Sequence, residues 1–149
     1  MLSADGYFAY DKEYDGNGNN TCMKVYGTDG KLILLAKGYA VVRREFDENN
    51  RVIREEYFDE NDQPVVITDG YAAYDKEYDD AGNNTVMKTY GADGKLIAVA
   101  KGYAVVRREY NKNKLVIHEA YYDENEQPVM STDGYASFDK EYDEAGNNT

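Results

Sequence analysis

Tyrosine is the side chain with which this protein could do most. Sixteen tyrosines occur, against no tryptophan. Gly-Tyr stands at 6–7, 38–39, 70–71, 102–103 and 134–135, always 32 residues apart. A second aromatic motif, Tyr57-Phe58-Asp59-Glu60-Asn61-Asp62-Gln63-Pro64-Val65, returns as Tyr121-Tyr122-Asp123-Glu124-Asn125-Glu126-Gln127-Pro128-Val129. A flat aromatic ring stacks on the apolar face of a sugar or on a cation.

Other chemistries find less support. His118 is the only histidine and its counterpart 64 residues earlier is Arg54, so no nucleophile–base pair recurs. We read it as an exposed strand residue. Carboxylates are plentiful but repeat along the chain, whereas a glycosidase concentrates one raised-pKa acid in a single cleft. The acidic turns Asp15-Gly16-Asn17-Gly18-Asn19 and Asp59-Glu60-Asn61-Asp62 lack the spacing of an EF-hand calcium loop, and ordinary turn chemistry accounts for them. Cys22 is the only cysteine and Val86 is its counterpart, so a small apolar role is expected, with no disulfide or zinc framework. No catalytic residue, metal ligand or cofactor is expected.

The elements that must position the tyrosines are repeats. Segment 5–68 aligns with 69–132 without gaps at 19 mismatches, leaving 45 of 64 positions identical. The 32-residue halves are less alike. One kind begins DGYxAYDKEYD and the other KGYAVVRRE. A fixed period of this size is the mark of an array. The units run about 5–36, 37–68, 69–100 and 101–132, with a partial unit at 133–149. Opening and closing in one motif predicts a continuous array, 1–149, cut from a longer one.

Turn signals fall every ten to twelve residues, at 16–19, 29–30, 48–50, 60–62, 80–83, 93–94, 112–114, 124–126 and 144–147. Gly and Asn tolerate the positive φ of tight hairpins. Between the turns lie short runs rich in Val, Ile, Thr and Tyr, and alternation is clear. Ala72, Tyr74, Lys76 and Tyr78 share one face, and Leu115, Ile117 and Tyr121 share another. No helical periodicity is sustained. The spacing predicts an all-β, elongated tandem array of antiparallel hairpins, either solenoid-like or a single-layer sheet, with 32-residue units in 64-residue pairs. Three strands per unit are expected, at about 38–46, 51–58 and 64–68, then 70–78, 84–90 and 95–100. Pro64 and Pro128 would open the third strand, where a missing N–H is tolerated. An odd strand count would reverse direction at each unit and so explain the stronger identity at 64. Alternatively the third segment bends on through Gly-Tyr and yields stacked hairpins.

Leu, Ile, Val and Phe together make 27 of 149 residues, a low share for a globule, but the tyrosines supply apolar area and the placement is strict. A net charge of −12 speaks against nucleic acid and against anionic membrane surfaces. Arg43-Arg44 and Arg107-Arg108, beside Glu45 and Glu109, are expected as salt-bridged strand positions. No apolar run is long enough for a membrane helix.

The motif of two aromatics, a polar turn, a small apolar strand and then Gly-Tyr at 57–71 and 121–135 resembles bacterial cell-wall-binding and glucan-binding repeats. Glu77-Tyr78-Asp79-Asp80-Ala81-Gly82-Asn83 and Tyr90 before Asp93-Gly94-Lys95-Leu96 resemble the tyrosine-aspartate repeats of Rhs-type bacterial surface and toxin proteins. Tyr14-Asp15 with Gly18-Asn19 and Tyr142-Asp143 with Gly146-Asn147 match the same turn. The resemblances imply tandem β-hairpins on a bacterial surface, with aromatics from neighbouring hairpins forming shallow ligand sites. Departures are the absent tryptophan and a unit longer by one strand and turn.

The function expected is a non-catalytic, multivalent binding module of a bacterial surface or secreted protein, directed at cell-wall or other polysaccharide. Its contact residues would be Tyr39, Tyr57, Tyr71, Tyr103, Tyr121 and Tyr135. The alternative is structural: a stalk, shell segment or filament that self-associates end to end through its open strand edges.

Overall fold

The computed structural model describes residues 2–149, and Met1 lies outside them. Nine strands form one antiparallel sheet in chain order: β1 Ala9–Tyr14, β2 Asn20–Tyr26, β3 Val41–Phe46, β4 Val52–Phe58, β5 Ala73–Tyr78, β6 Asn84–Tyr90, β7 Val105–Tyr110, β8 Val116–Tyr122 and β9 Ser137–Asp139. No helix occurs among the described residues. By contact density the chain divides into two compact units, Met1–Tyr74 with Tyr90–Lys95, and Asp75–Thr89 with Leu96–Thr149.

The turns are built by side-chain oxygens. Asp15 accepts the backbone N–H groups of Asn17 and Asn19 at 2.9 and 3.0 Å. Asp47 does the same for Asn49 and Arg51, Asp59 for Asn61 and Gln63, and Asn111 for Asn113 and Leu115. These bonds favour the charged carboxylate. The Asn19 side-chain amide, and then its backbone, hold Asp15 below the usual carboxylate range, and Asn83 acts likewise on Asp79. Left-handed residues stand at 6, 18, 30, 38, 50, 62, 70, 82, 94, 102, 114, 126, 134 and 146, at intervals of 12, 12 and 8. Each of the nine turn signals in the sequence carries one. Four of these residues are not glycine: Asn50, Asp62, Lys114 and Glu126.

The expected third strand is absent. Residues 64–68 make only a single bridge, Phe58 to Pro64, and 95–100 form no strand. The reason lies in their hydrogen bonds. The Val65 N–H returns to the Tyr57 carbonyl, Ile67 donates to Tyr71, and Gly70 closes a turn on Ile67. Gly-Tyr is therefore a turn and not a strand start. Pro64 and Pro128 sit at isolated bridges beside Phe58 and Tyr122.

With two strands in each 32 residues, direction is restored every time, so reversal does not explain the identity at 64. Two kinds of seam do. β2 meets β3 through Asn20, whose Oδ1 accepts from Arg44 at 2.8 Å, and β6 meets β7 through Asn84 and Arg108 at 3.2 Å. β4 meets the next strand through Glu55 and Tyr74. Each hairpin is thus shaped for unlike neighbours.

The first unit buries residues on both sheet faces. Cys22, Ala40 and Val41 pack with Leu32 and Phe58 on one face. Val42, Tyr57 and Ile67 pack with Met23, Tyr39, Val65 and Tyr71 on the other. Strand alternation splits Val41 from Val42, and the connecting segments cover both. The second unit repeats the first cluster with Val86, Ala104 and Val105. Cys22 is a buried free thiol in the small apolar role expected of it.

The arginine pairs are salt-bridged, but across strands and loops and not to Glu45 or Glu109. Arg44 binds Glu55 at 2.9 Å and Arg108 binds Glu119 at 2.8 Å. Arg43 reaches Asp62 at 3.0 Å and lies 4.3 Å from the Phe58 ring centre. His118 lies on β8, half-buried, with Nδ1 2.6 Å from Asp139.

Candidate aromatic binding face

The sheet gathers the six expected contact tyrosines into two triads. Tyr39 lies 5.2 Å from Tyr57, and Tyr57 lies 6.2 Å from Tyr71, centre to centre. In the second unit Tyr103 stacks on Tyr121 at 4.7 Å, and Tyr121 lies 6.1 Å from Tyr135. The pattern has a plain origin. The middle ring comes from a strand, β4 or β8, and its flanking rings come from the Gly-Tyr turns on either side.

The middle and outer rings differ in what they offer. Tyr57 and Tyr121 are buried, at 7 % and 5 % exposure, and show little face to a ligand. Tyr39, Tyr71 and Tyr103 are half-buried, and Tyr135 is exposed. Each buried hydroxyl is held by a carboxylate two residues back: Tyr57 donates to Glu55, and Tyr121 donates to Glu119 at 2.7 Å. Glu55 also accepts from Tyr74 at 3.1 Å. Burial, and then the neighbouring Glu55 or Glu119 carboxylate, drives the Tyr57 and Tyr121 hydroxyls well above the ordinary phenol range. Burial also raises Tyr39 and Tyr71. These phenols stay protonated at neutral pH and can donate hydrogen bonds.

Loops decide where the face opens. The turn before Tyr71 closes on the one before Tyr39: Thr68 N–H donates to the Lys37 carbonyl at 2.9 Å, and a Cβ on Gly38 would sit 3.6 Å from the Ile67 Cα. In the second unit Thr132 donates to Lys101 at 2.8 Å. By contrast, nothing lies within 4 Å of the Cβ position at Gly6. There a groove of about 510 Å³ remains between the turns that carry Tyr7 and Tyr39. Met23 and Leu35 also line it, with Asp5 and Lys37 as its charged groups. Tyr7 was not singled out as a contact from sequence. The signal was present, because it carries the same Gly-Tyr motif.

A second depression, of about 370 Å³, holds Cys22, Arg43, Glu45, Arg54 and Glu56. It is lined by charges of both signs and has no aromatic platform. Among the described residues no group of three or more His, Cys, Asp or Glu is placed to hold a metal ion. No helix of the described residues is long and apolar enough to cross a membrane. No protein-family model matches this chain, and no curated protein matches it.

Proposed function

We propose that this chain is a non-catalytic, multivalent carbohydrate-binding module of a bacterial surface or secreted protein. The groove between Tyr7 and Tyr39 carries the reading. Its 510 Å³ falls in the size range of small-molecule sites. A pyranose presents apolar C–H faces to aromatic walls and hydroxyls to polar groups at the rim, which Asp5 and Lys37 supply. The half-buried outer rings Tyr71 and Tyr103 and the exposed Tyr135 extend the aromatic surface on their own units. Single sites of this kind are weak, and repetition raises their joint affinity through effective concentration.

The net charge of −12 favours a neutral glycan over phosphate-bearing wall polymers, which it repels. The proposed partner is therefore a neutral cell-wall polysaccharide or glucan. A pull-down of the full chain on insoluble glucans and purified cell walls tests this, with Tyr7→Ala and Tyr39→Ala variants checked for folding by circular dichroism. Retention of the parent chain that falls in both folded variants supports the reading. Absence of retention, or retention unchanged in both variants, overturns it.

A further inference from the structure

The depression of about 370 Å³ in the first unit lies on the sheet face that carries Cys22, opposite the tyrosine triad. Strand register explains its shape. Glu13, Cys22, Arg43 and Glu56 stand in one cross-strand row, and alternation puts their side chains on the same face. Lys24 is two residues further along β2 and shares that face. The short Cys22 side chain, 6 % exposed, is the floor, and long charged side chains are the walls.

In the second unit the counterpart cations are satisfied from within. Glu126 accepts from Lys88 at 3.0 Å and lies 3.8 Å from Arg107. Lys88, first through that hydrogen bond, holds the Glu126 carboxyl below the usual carboxylate range. The residues 64 positions earlier are Asp62, Lys24 and Arg43. Asp62 is one methylene shorter and meets Arg43 alone, through Nη2 at 3.0 and 3.2 Å. Lys24 has no ion pair among the described residues. Arg43 keeps its other N–H groups for another acceptor, and the Phe58 ring, 4.3 Å away, steadies its guanidinium. Val86, a bulkier side chain, stands in the place of Cys22.

Two cations with unused donors thus stand across Cys22 from the carboxylate of Glu13. Glu13 and Arg43 are two strand spacings apart, roughly 10 Å between backbones. An anion alone would meet the carboxylates of Glu13 and Glu45, and a cation alone would meet Lys24 and Arg43. A ligand that carries both charges suits both walls. Being neutral overall, it is not repelled by the net charge of −12.

We propose that this depression binds a small zwitterion, an α-amino acid, with its carboxylate on Lys24 and Arg43 and its ammonium on Glu13. The volume falls within the range of small-molecule sites. Charge-assisted hydrogen bonds from two cations suit a carboxylate. The site and the tyrosine groove lie on opposite faces, so the inference does not rest on the glycan reading.

An amide NMR titration of the full chain with alanine tests this, with acetate and methylammonium as single-charge controls. Saturable shifts at the Cys22, Lys24 and Arg43 amides are expected with alanine, and each control should bind about tenfold more weakly. Two variants borrow residues that the second unit carries in the same places. Asp62→Glu gives Lys24 a partner within the chain, and Cys22→Val raises the floor. Lys24→Gln breaks no ion pair and removes one cation. Each should raise the dissociation constant for alanine by about tenfold, the worth of one charge-assisted hydrogen bond, with the circular dichroism spectrum retained. Absence of a saturable shift with alanine overturns the proposal. So does acetate that binds as tightly as alanine, or an affinity unchanged in the folded variants.

Discussion

Two half-buried glutamates, 64 residues apart, occupy the same place in the fold and are served differently. Glu55 receives Arg44, Tyr57 and Tyr74, and Ile67 seals the adjoining cluster. Glu119 receives Arg108 and Tyr121, while Phe138 replaces Tyr74 and the buried Ser131 replaces Ile67. The ring pair also differs. Tyr103 and Tyr121 are nearly parallel at 22°, whereas Tyr39 and Tyr57 are tilted at 44°. A carboxylate out of water is tolerated in proportion to the donors that surround it. The first glutamate is accordingly the better supplied with donors. Sequence identity is high across the repeat, yet one hydroxyl and one apolar side chain distinguish the two sites.

The contrast can be broken most strongly at its centre. Tyr57→Ala removes a ring that is 7 % exposed and should cost about 3–5 kcal/mol in a urea titration. Tyr121→Ala should cost less, and equal losses would remove the distinction. Next is the plug: Ile67→Ser, which imports the second site's residue, should destabilise by about 2–4 kcal/mol.

Alkali comes third. Burial raises the phenol pKa values of Tyr57, Tyr74 and Tyr121 above the ordinary phenol value of about 10. The folded chain then holds protons that the unfolded chain releases. The stabilisation is complete below pH 10 and falls as pH rises further, by up to about 1.4 kcal/mol per pH unit for a buried ring that stays protonated. Thermal melts between pH 9 and 11 should show this, and Tyr57→Phe should flatten the slope. A slope unchanged in that variant would contradict the assignment.

Smaller effects sharpen the comparison. Tyr74→Phe makes the first glutamate resemble the second and should cost about 1 kcal/mol, read by denaturant midpoint. Turn chemistry gives the smallest change. Lys114 holds φ 64° where four of the nine signalled turns have other residues than glycine, and Lys114→Gly should stabilise by a few tenths to about 1 kcal/mol. Loss of stability there would mean that the Lys114 side chain contributes more than its backbone strain costs.

Much of the fold was legible because the informative signals are local. A turn that needs an oxygen at its first position and positive φ at its fourth shows itself in five residues, as in Asp15 through Asn19. Strand alternation is equally local. The third strand was misread for the same reason. Val65-Val66-Ile67 has the composition of a strand, but its donors are taken by Tyr57 and Tyr71, which no local pattern reveals. The motif groups the candidate tyrosines in sequence, while which of them are buried was not legible there, since Tyr57 and Tyr71 differ in surroundings and not in type.

By itself the sequence determined the all-β class, the positions of the turns and the recurrence of the aromatics, since each depends on contacts a few residues long. Tertiary structure decided which rings are buried, which loops clasp and which remain apart, and which carboxylate gains a third donor. Gly6 and Gly38 precede identical tyrosines. Only the packing of Ile67 and Thr68, thirty residues further on, closes the space beside one, while the space beside the other stays open.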